Sequence, residues 1–192
     1  MTHVWYVSYG SNMSADRFAR YLYGGTPVGG ARCYPGCRDR TPPGGDRAVF
    51  IDGAIYFAER SLTWGGGIAF LDPHANGRVP GRAWLITVEQ FADVCAQEMR
   101  FAPGAVTVPV DRVVDAGTHA LGPGYYETLI HVGALEGHPM VTFTAPRPLT
   151  PRTVPSEAYV DTIVAGLVET HGWSRGEARR YLWAAAEPSS WS

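Results

Sequence analysis

One carboxylate stands where the pattern around it asks for an apolar residue. Val88, Phe91, Val94 and Cys95 recur at helical spacing and mark the buried stripe of a helix, and Glu98 and Met99 continue the series. Glu98 lies seven residues after Phe91 and four after Val94, so its side chain projects with the core-facing set. A carboxylate on such a face is costly unless it is paired, neutralised or turned into a cavity. Three readings follow. The helix ends near Glu98 and leaves it in water; an arginine such as Arg82 or Arg100 pairs with it; or it is a general base whose pKa desolvation raises towards neutrality, where proton transfer is efficient. Glu89 and Asp93 fall off the stripe and read as solvated charges.

A second feature is Tyr9-Gly10-Ser11-Asn12, at the end of a short aromatic run. Such a turn can offer successive backbone N–H groups to an anion or a developing oxyanion, because Gly10 tolerates close approach. The same residues also suit a plain strand-to-helix turn.

Other chemistries are excluded by what is missing. All 16 basic residues are arginine, a usage that fits a high-GC genome. Without lysine there is no Schiff base and no Walker-A contact. Cys33 and Cys37 form a C-x3-C pair with no second Cys or His pair at zinc spacing, so free thiols, with Cys95, are the simpler reading. The six histidines show no H-x-x-H or H-E-x-x-H pattern. Ser11 has no G-x-S-x-G elbow and no nearby histidine, which argues against a serine hydrolase. No G-x-G-x-x-G joins a strand to a helix, which argues against a dinucleotide fold. A net charge of -2 gives no footprint for nucleic acid or anionic membrane. No apolar run approaches the roughly 20 residues that span a bilayer. The opening Met1 to Tyr6 lacks the basic and apolar regions of a signal peptide. The expectation is therefore one cytoplasmic domain over residues 1–192, of unspecified oligomeric state, with no nucleic-acid or membrane partner.

The elements that must position these residues are legible in outline. Val4 to Tyr9 reads as a buried strand. A helix follows with Ser14 as N-cap and Phe18, Tyr21 and Leu22 at helical spacing. Residues 26–46 are dense in Gly, Pro, Arg and Asp and read as an irregular loop of functional length. Val49 to Phe57, Ile68 to Leu71 and Val79 to Ile86 read as strands. Thr87-Val88-Glu89-Gln90 is a capping box that opens the Glu98 helix. Ala105 to Val110, Tyr125 to His131 and Met140 to Phe143 read as further strands. Residues 146–155 carry four prolines and form an extended connector. A helix from Ser156 to about His171 stops at Gly172, and Ser174-Arg175-Gly176-Glu177 caps a last helix that ends before Pro188. Strands gather in the middle without regular βα alternation, which is the α+β class.

Four ordered segments resemble the γ-glutamylcyclotransferase-like family. Tyr6-Val7-Ser8-Tyr9-Gly10-Ser11-Asn12-Met13 is similar to the family's strand and Y-G-S-N loop. Trp64-Gly65-Gly66-Gly67-Ile68-Ala69 resembles its W-x-G-G-[IV]-A segment, and Gly81 to Glu98 the strand and helix that end in its acid/base glutamate. Pro155-Ser156-Glu157-Ala158-Tyr159 is similar to the P-S-x-x-Y opening of a late helix. The resemblance implies a mixed fold with a small, partly closed β-barrel, surrounding helices and a pocket at one mouth. It implies Glu98 as the catalytic residue, and substrate contacts from Tyr6, Val7, Ser8, Tyr9, Gly10, Ser11, Asn12, Gly66 and Tyr159. The implied partner is a small γ-glutamyl amide, which cyclises to 5-oxoproline and a free amine with no metal or organic cofactor. Taken singly, Tyr159 also suits a core aromatic and the triglycine a loop breaker. Rival readings are hydrolysis of such an amide, removal of an acyl group from a specialised metabolite, and a non-catalytic binding module.

The chain departs from the family at Met99-Arg100-Phe101-Ala102-Pro103, where a glycine and then an aromatic often follow the glutamate; the pocket's floor or rim is thereby altered. The stretch from Arg32 to Arg47 reads as a lid or specificity loop that receives an anion on Arg38 or Arg40, or else as a solvated charged loop.

Overall fold

The computed structural model describes residues 2–187. Strand β1 (His3–Ser8) leads through a 3₁₀ turn (Ser11–Met13) into helix α1 (Ala15–Tyr23). After a long loop come β2 (Gly45–Asp52), β3 (Ala54–Ala58), β4 (Ile68–Asp72), β5 (Arg78–Thr87) and helix α2 (Val88–Glu98). Then follow α3 (Val110–Ala116), β6 (Thr118–Ala120), β7 (Thr128–Leu135), β8 (His138–Thr144), α4 (Glu157–His171) and α5 (Arg175–Ala186). Six strands pair in the order β2-β5-β1-β8-β7-β6, all antiparallel except β1 with β8. The remaining two, β3 and β4, form an antiparallel ribbon. Leu71 of that ribbon donates its N–H to the Thr144 hydroxyl at 3.0 Å and accepts from it at 2.8 Å, which bends the ribbon against the end of β8. The result is the expected α+β class with a partly closed sheet.

β1 divides the interior in two. Val4 and Tyr6 enter one core with residues of α1, α2 and α3, while Trp5 and Val7 enter the other with residues of α4 and α5. A strand covered on both faces has no polar side to advertise, hence its continuous apolar run. The predicted caps form. Ser14, Thr87, Ser156 and Ser174 each accept a backbone N–H three residues on, and Thr87 and Ser174 complete capping boxes with Gln90 and Glu177. Gly172 closes α4 in the left-handed conformation. Pro188, the expected stop after α5, lies outside the described residues, as does Met1.

Several expectations are corrected. Ala105 to Val110 is not a strand. Val110 instead opens α3, because Val110 and Val113 recur at helical spacing and bury one face, and Pro109 supplies no N–H to a sheet. Gly53 splits the Val49 to Phe57 region into β2 and β3, which belong to different sheets. β7 begins at Thr128 rather than Tyr125, and the three-residue β6 lacks any apolar signal. Asp93 is not solvated. It is fully buried and accepts from the Arg38 N–H at 2.9 Å, the Gly104 N–H at 2.7 Å and the Arg38 guanidinium. Gln90 and Gln97 are buried beside it, donating to Thr41 O at 2.8 Å and Tyr21 O at 3.0 Å. α2 is thus covered on a polar face as well, by the loop between α1 and β2.

The Pro-rich connector runs along the ribbon, as Thr153 donates to Phe57 O at 3.0 Å and Gly67 to Val154 O at 2.8 Å. A Cβ at Gly67 would meet Thr153 O at 2.0 Å, so the triglycine admits the connector that delivers α4. α4 then packs on the 3₁₀ turn through Gly166, where a Cβ would fall 2.5 Å from Met13 Cβ. Gly166→Ala should therefore cost about 2 kcal/mol in chemical denaturation, the scale of overpacking. Unchanged stability would mean that α4 shifts freely.

Candidate active site

One cavity gathers residues from β1, the 3₁₀ turn, α1, β4, α2, β8, α4 and the loops after β1, α1, β3, α2 and β6, and holds about 90 Å³ of space open to water. Among the predicted residues, Tyr6, Ser8, Tyr9, Gly10, Ser11, Asn12, Glu98 and Tyr159 line it. Val7 does not: alternation along β1 sends its side chain into the opposite core. Gly66 does not either, and its positive φ of 65° serves the approach to Pro155 and Ser156. A second hollow, of about 350 Å³, borders β4, β6 and β7 and contains none of these residues.

Glu98 is the last residue of α2, but its side chain turns inward to the cavity. Oε1 accepts from the Tyr21 hydroxyl at 2.5 Å and from Asn12 Nδ2 at 3.4 Å. Asn12 Nδ2 also donates to the Tyr6 hydroxyl at 3.1 Å, and Trp84 Nε1 fixes Asn12 O at 2.9 Å. No hydrogen bond to Glu98 Oε2 is formed among the described residues, so that oxygen is left to the cavity. Neither named arginine pairs with the acid. Arg82 is bound to Asp46 and Glu169 at 2.8 Å each, and Arg100 reaches the Tyr125 hydroxyl at 3.1 Å. Burial raises the Glu98 pKa above the ordinary carboxylate value; the Tyr21 hydrogen bond, the charges of Arg17 and Arg32, and Asn12 oppose that rise without cancelling it.

Gly10, Ser11 and Asn12 line the same cavity as Glu98, and their backbone N–H groups have no acceptor among the described residues, as the first donors of a 3₁₀ turn. The Tyr159 hydroxyl accepts from Ala69 N at 3.2 Å and lies against Gly10, and burial pushes its pKa up to about 12, so it stays a neutral donor. Tyr9 is a floor residue, its hydroxyl donating to Phe143 O at 2.8 Å.

Several residues of the site were not anticipated. Arg17, Tyr21, Arg32, Tyr34, Thr63 and Tyr126 all line the cavity. Arg17 and Tyr21 sit four apart on α1, and an arginine beside the apolar Phe18 was the same kind of signal that singled out Glu98. Arg38 and Arg40 do not line the cavity: Arg38 pairs with Asp93 and Glu89, and Arg40 bonds to the backbone of Pro35 and Cys37. Arg17, Arg32, Arg60 and Arg100 line the cavity instead, against Glu98 as its one carboxylate. Arg100 takes a left-handed φ of 64°, a strained conformation for a side chain with a Cβ, in the segment that departs from the family pattern. Cys33, Cys37 and Cys95 are free thiols. Among the described residues no group of three or more His, Cys, Asp or Glu is placed to hold a metal ion, and no helix is long and apolar enough to cross a membrane.

Comparison with solved structures finds a γ-glutamyl cyclotransferase with a TM-score of 0.52 and 16% identity, over 97% of this chain and 89% of that one. The chain has the γ-glutamylcyclotransferase-like fold. An uncharacterized protein from Homo sapiens is similar with a TM-score of 0.55 and 17% identity, over the same shares of the two chains. No family model matches the sequence. Among curated proteins, histone deacetylase 5 of Arabidopsis thaliana is 31% identical over an aligned length of 198 residues, which covers 93% of this chain. The chain spans 30% of the length of that relative.

A raised carboxylate pKa has a fixed sign in stability. Between the unfolded and folded pKa the native state holds a proton that the unfolded chain has released, so native stability falls as pH rises through that window. Glu98→Gln should therefore melt above the wild type at pH 7 to 8, and the difference should close by about pH 4, near the ordinary carboxylate pKa. Thermal unfolding across pH tests this; a variant less stable at neutral pH would contradict it.

Proposed function

We propose that the chain is a γ-glutamyl cyclotransferase-type enzyme with Glu98 as its acid–base group. The observation that carries this reading is the free Oε2 of a half-buried carboxylate, without an ion pair among the described residues, in a cavity lined also by Gly10, Ser11 and Asn12, whose backbone N–H groups make no hydrogen bond among those residues. In this mechanism Oε2 takes a proton from the substrate's α-ammonium group. The freed amine attacks its own γ-carbonyl carbon, and a five-membered ring closes at high effective molarity. The electron pair displaced onto the carbonyl oxygen is met by N–H groups of the Gly10 to Asn12 turn, each worth about 3 kcal/mol when well aimed. The tetrahedral centre collapses, the bond to the leaving nitrogen breaks, Glu98 returns its proton to that nitrogen, and the departing amine also takes the second proton that the ring nitrogen sheds, leaving as an ammonium. The products are 5-oxoproline and a free amine. Glu98 ends as it began.

The charge of the cavity supports an anionic substrate. Four guanidinium groups face one carboxylate, and none of the four is in an ion pair among the described residues. A γ-glutamyl amide brings an α-carboxylate, and the surplus of positive charge favours leaving amines that carry an acid over cationic ones.

Mass spectrometry on a panel of γ-glutamyl amides should detect 5-oxoproline, with acidic leaving amines turned over faster than cationic ones; free glutamate as the product would make the enzyme a hydrolase. Glu98→Gln should retain the fold while kcat drops at least about a hundredfold, the scale of general acid–base loss. Full activity in that variant would remove Glu98 from the mechanism.

A further inference from the structure

Arg17 is a buried cation with an unusual set of partners. Only 3% of it is exposed, and among the described residues it forms no ion pair and its Nε and Nη1 atoms have no hydrogen-bond acceptor. Its Nη2 donates to the Tyr21 hydroxyl at 3.1 Å and to the Tyr34 hydroxyl at 2.7 Å. The guanidinium carbon lies 4.4 Å and 4.3 Å from the two ring centroids, so aromatic faces replace part of its lost hydration. A charge buried at this cost is retained for something it does. Its one short path to an opposite charge runs through Tyr21, whose hydroxyl accepts from Arg17 and donates to Glu98 Oε1 at 2.5 Å.

We propose that Arg17 is a positioning residue that acts on Glu98 through the Tyr21 hydroxyl, in effect an ion pair with a phenol inserted between its members. A direct bidentate pair would occupy both carboxylate oxygens and lock the acid as a charge. The inserted phenol holds Oε1 alone and leaves Oε2 for the cavity. By donating to the phenol oxygen, Arg17 also polarises the O–H towards Glu98 and makes it a stronger donor. Tyr34 keeps the guanidinium in register, its hydroxyl hydrogen-bonded in turn to Thr63 Oγ1 at 3.1 Å. Burial works against the Arg17 charge, but Tyr21, Tyr34 and Glu98 around it leave its pKa raised, so it is a permanent cation. The other titratable or charged groups around Glu98 are Tyr6 of β1, Arg32 and Tyr34 of the loop after α1, Cys95 of α2, Tyr126 before β7 and Tyr159 of α4, with Arg60 and Arg100 at the rim. Burial pushes Tyr6, Cys95, Tyr126 and Tyr159 upwards as neutral groups, so the positive influence on Glu98 comes from the arginines.

The inference rests on Glu98 being the acid–base group, and the test separates the two. The Glu98 carboxyl is titrated by carbon-13 NMR on the full chain without substrate, with Glu98→Gln to assign its signal. Arg17→Met should raise the midpoint by roughly one pH unit or more, as loss of a nearby opposite charge does. Tyr21→Phe should raise it as well, and the double variant should exceed the larger single shift only slightly. The acid limb of kcat/KM should move upwards by the same amount, because the base must be ionised to act. An unmoved midpoint in Arg17→Met overturns the proposal, as does an equal Arg17→Met shift in the Tyr21→Phe background, which would mean that the charge acts without the phenol. Should Arg17→Met not fold, Tyr21→Phe decides alone, since it removes one hydroxyl and an unmoved midpoint there also overturns the proposal. Absence of 5-oxoproline from every γ-glutamyl amide would instead sink the enzymatic reading and leave the titration result standing.

Discussion

Glu98 accepts its shortest hydrogen bond from the Tyr21 hydroxyl at 2.5 Å, and no arginine pairs with the carboxylate directly. Desolvation drives that acid towards its neutral form, and a guanidinium in contact would drive it fully the other way. The phenol holds the balance between them. It leaves the pKa raised but keeps one carboxylate oxygen fixed and the other free. Everything else at the site is arranged around that geometry: Asn12 steadies the same oxygen, Trp84 steadies Asn12, and α1 exists in this place to deliver both Tyr21 and Arg17.

The scaffold explains how such a contact survives. β1 is buried on both faces, so its register is set by two cores at once, and a slip of one residue would exchange Tyr6 for Val7 in the cavity. The 3₁₀ turn after β1 is clamped from three directions. Gly166 of α4 lies against Met13, the Arg82 guanidinium donates to Met13 O at 2.9 Å, and Glu169 accepts from the N–H of Ala15 at 2.9 Å. α2 is clamped by the loop after α1, in which Arg38 and its backbone N–H surround Asp93. The polar groups that look like surface decoration on α2 are therefore what seats the helix that ends in Glu98.

Charge is distributed with the same economy of contact. Arg38, Arg82 and Arg179 are committed to carboxylates and build structure, whereas Arg17, Arg32, Arg60 and Arg100 face the cavity without one. In a chain whose basic residues are all arginine, residue type says nothing about which group performs which task. Only the position of the partners does.

The elements governed by local rules were legible in the sequence. Ser14, Thr87, Ser156 and Ser174 announced four helix starts because a cap is a contact between residues three apart, and the β1, β4, β5 and β8 strands announced themselves by short stretches rich in apolar and aromatic residues. Glu98 was legible too, since a charge on an apolar stripe is visible in the periodicity alone. Asp93 was misjudged because periodicity reports one buried face, and the second face of α2 is buried by a loop some fifty residues away. Ala105 to Val110 misled because a short apolar run does not distinguish a strand from the first turn of a helix. Arg17, Tyr21 and Tyr34 become one unit with Glu98 only when segments up to 81 positions apart in sequence meet, and no spacing rule spans such a gap. The sequence by itself determined the acid, the turn and the four capped helix starts, because each is a property of neighbours along the chain. Tertiary structure alone decided what the acid touches, since a buried charge takes its character from partners that only folding brings within a few ångströms.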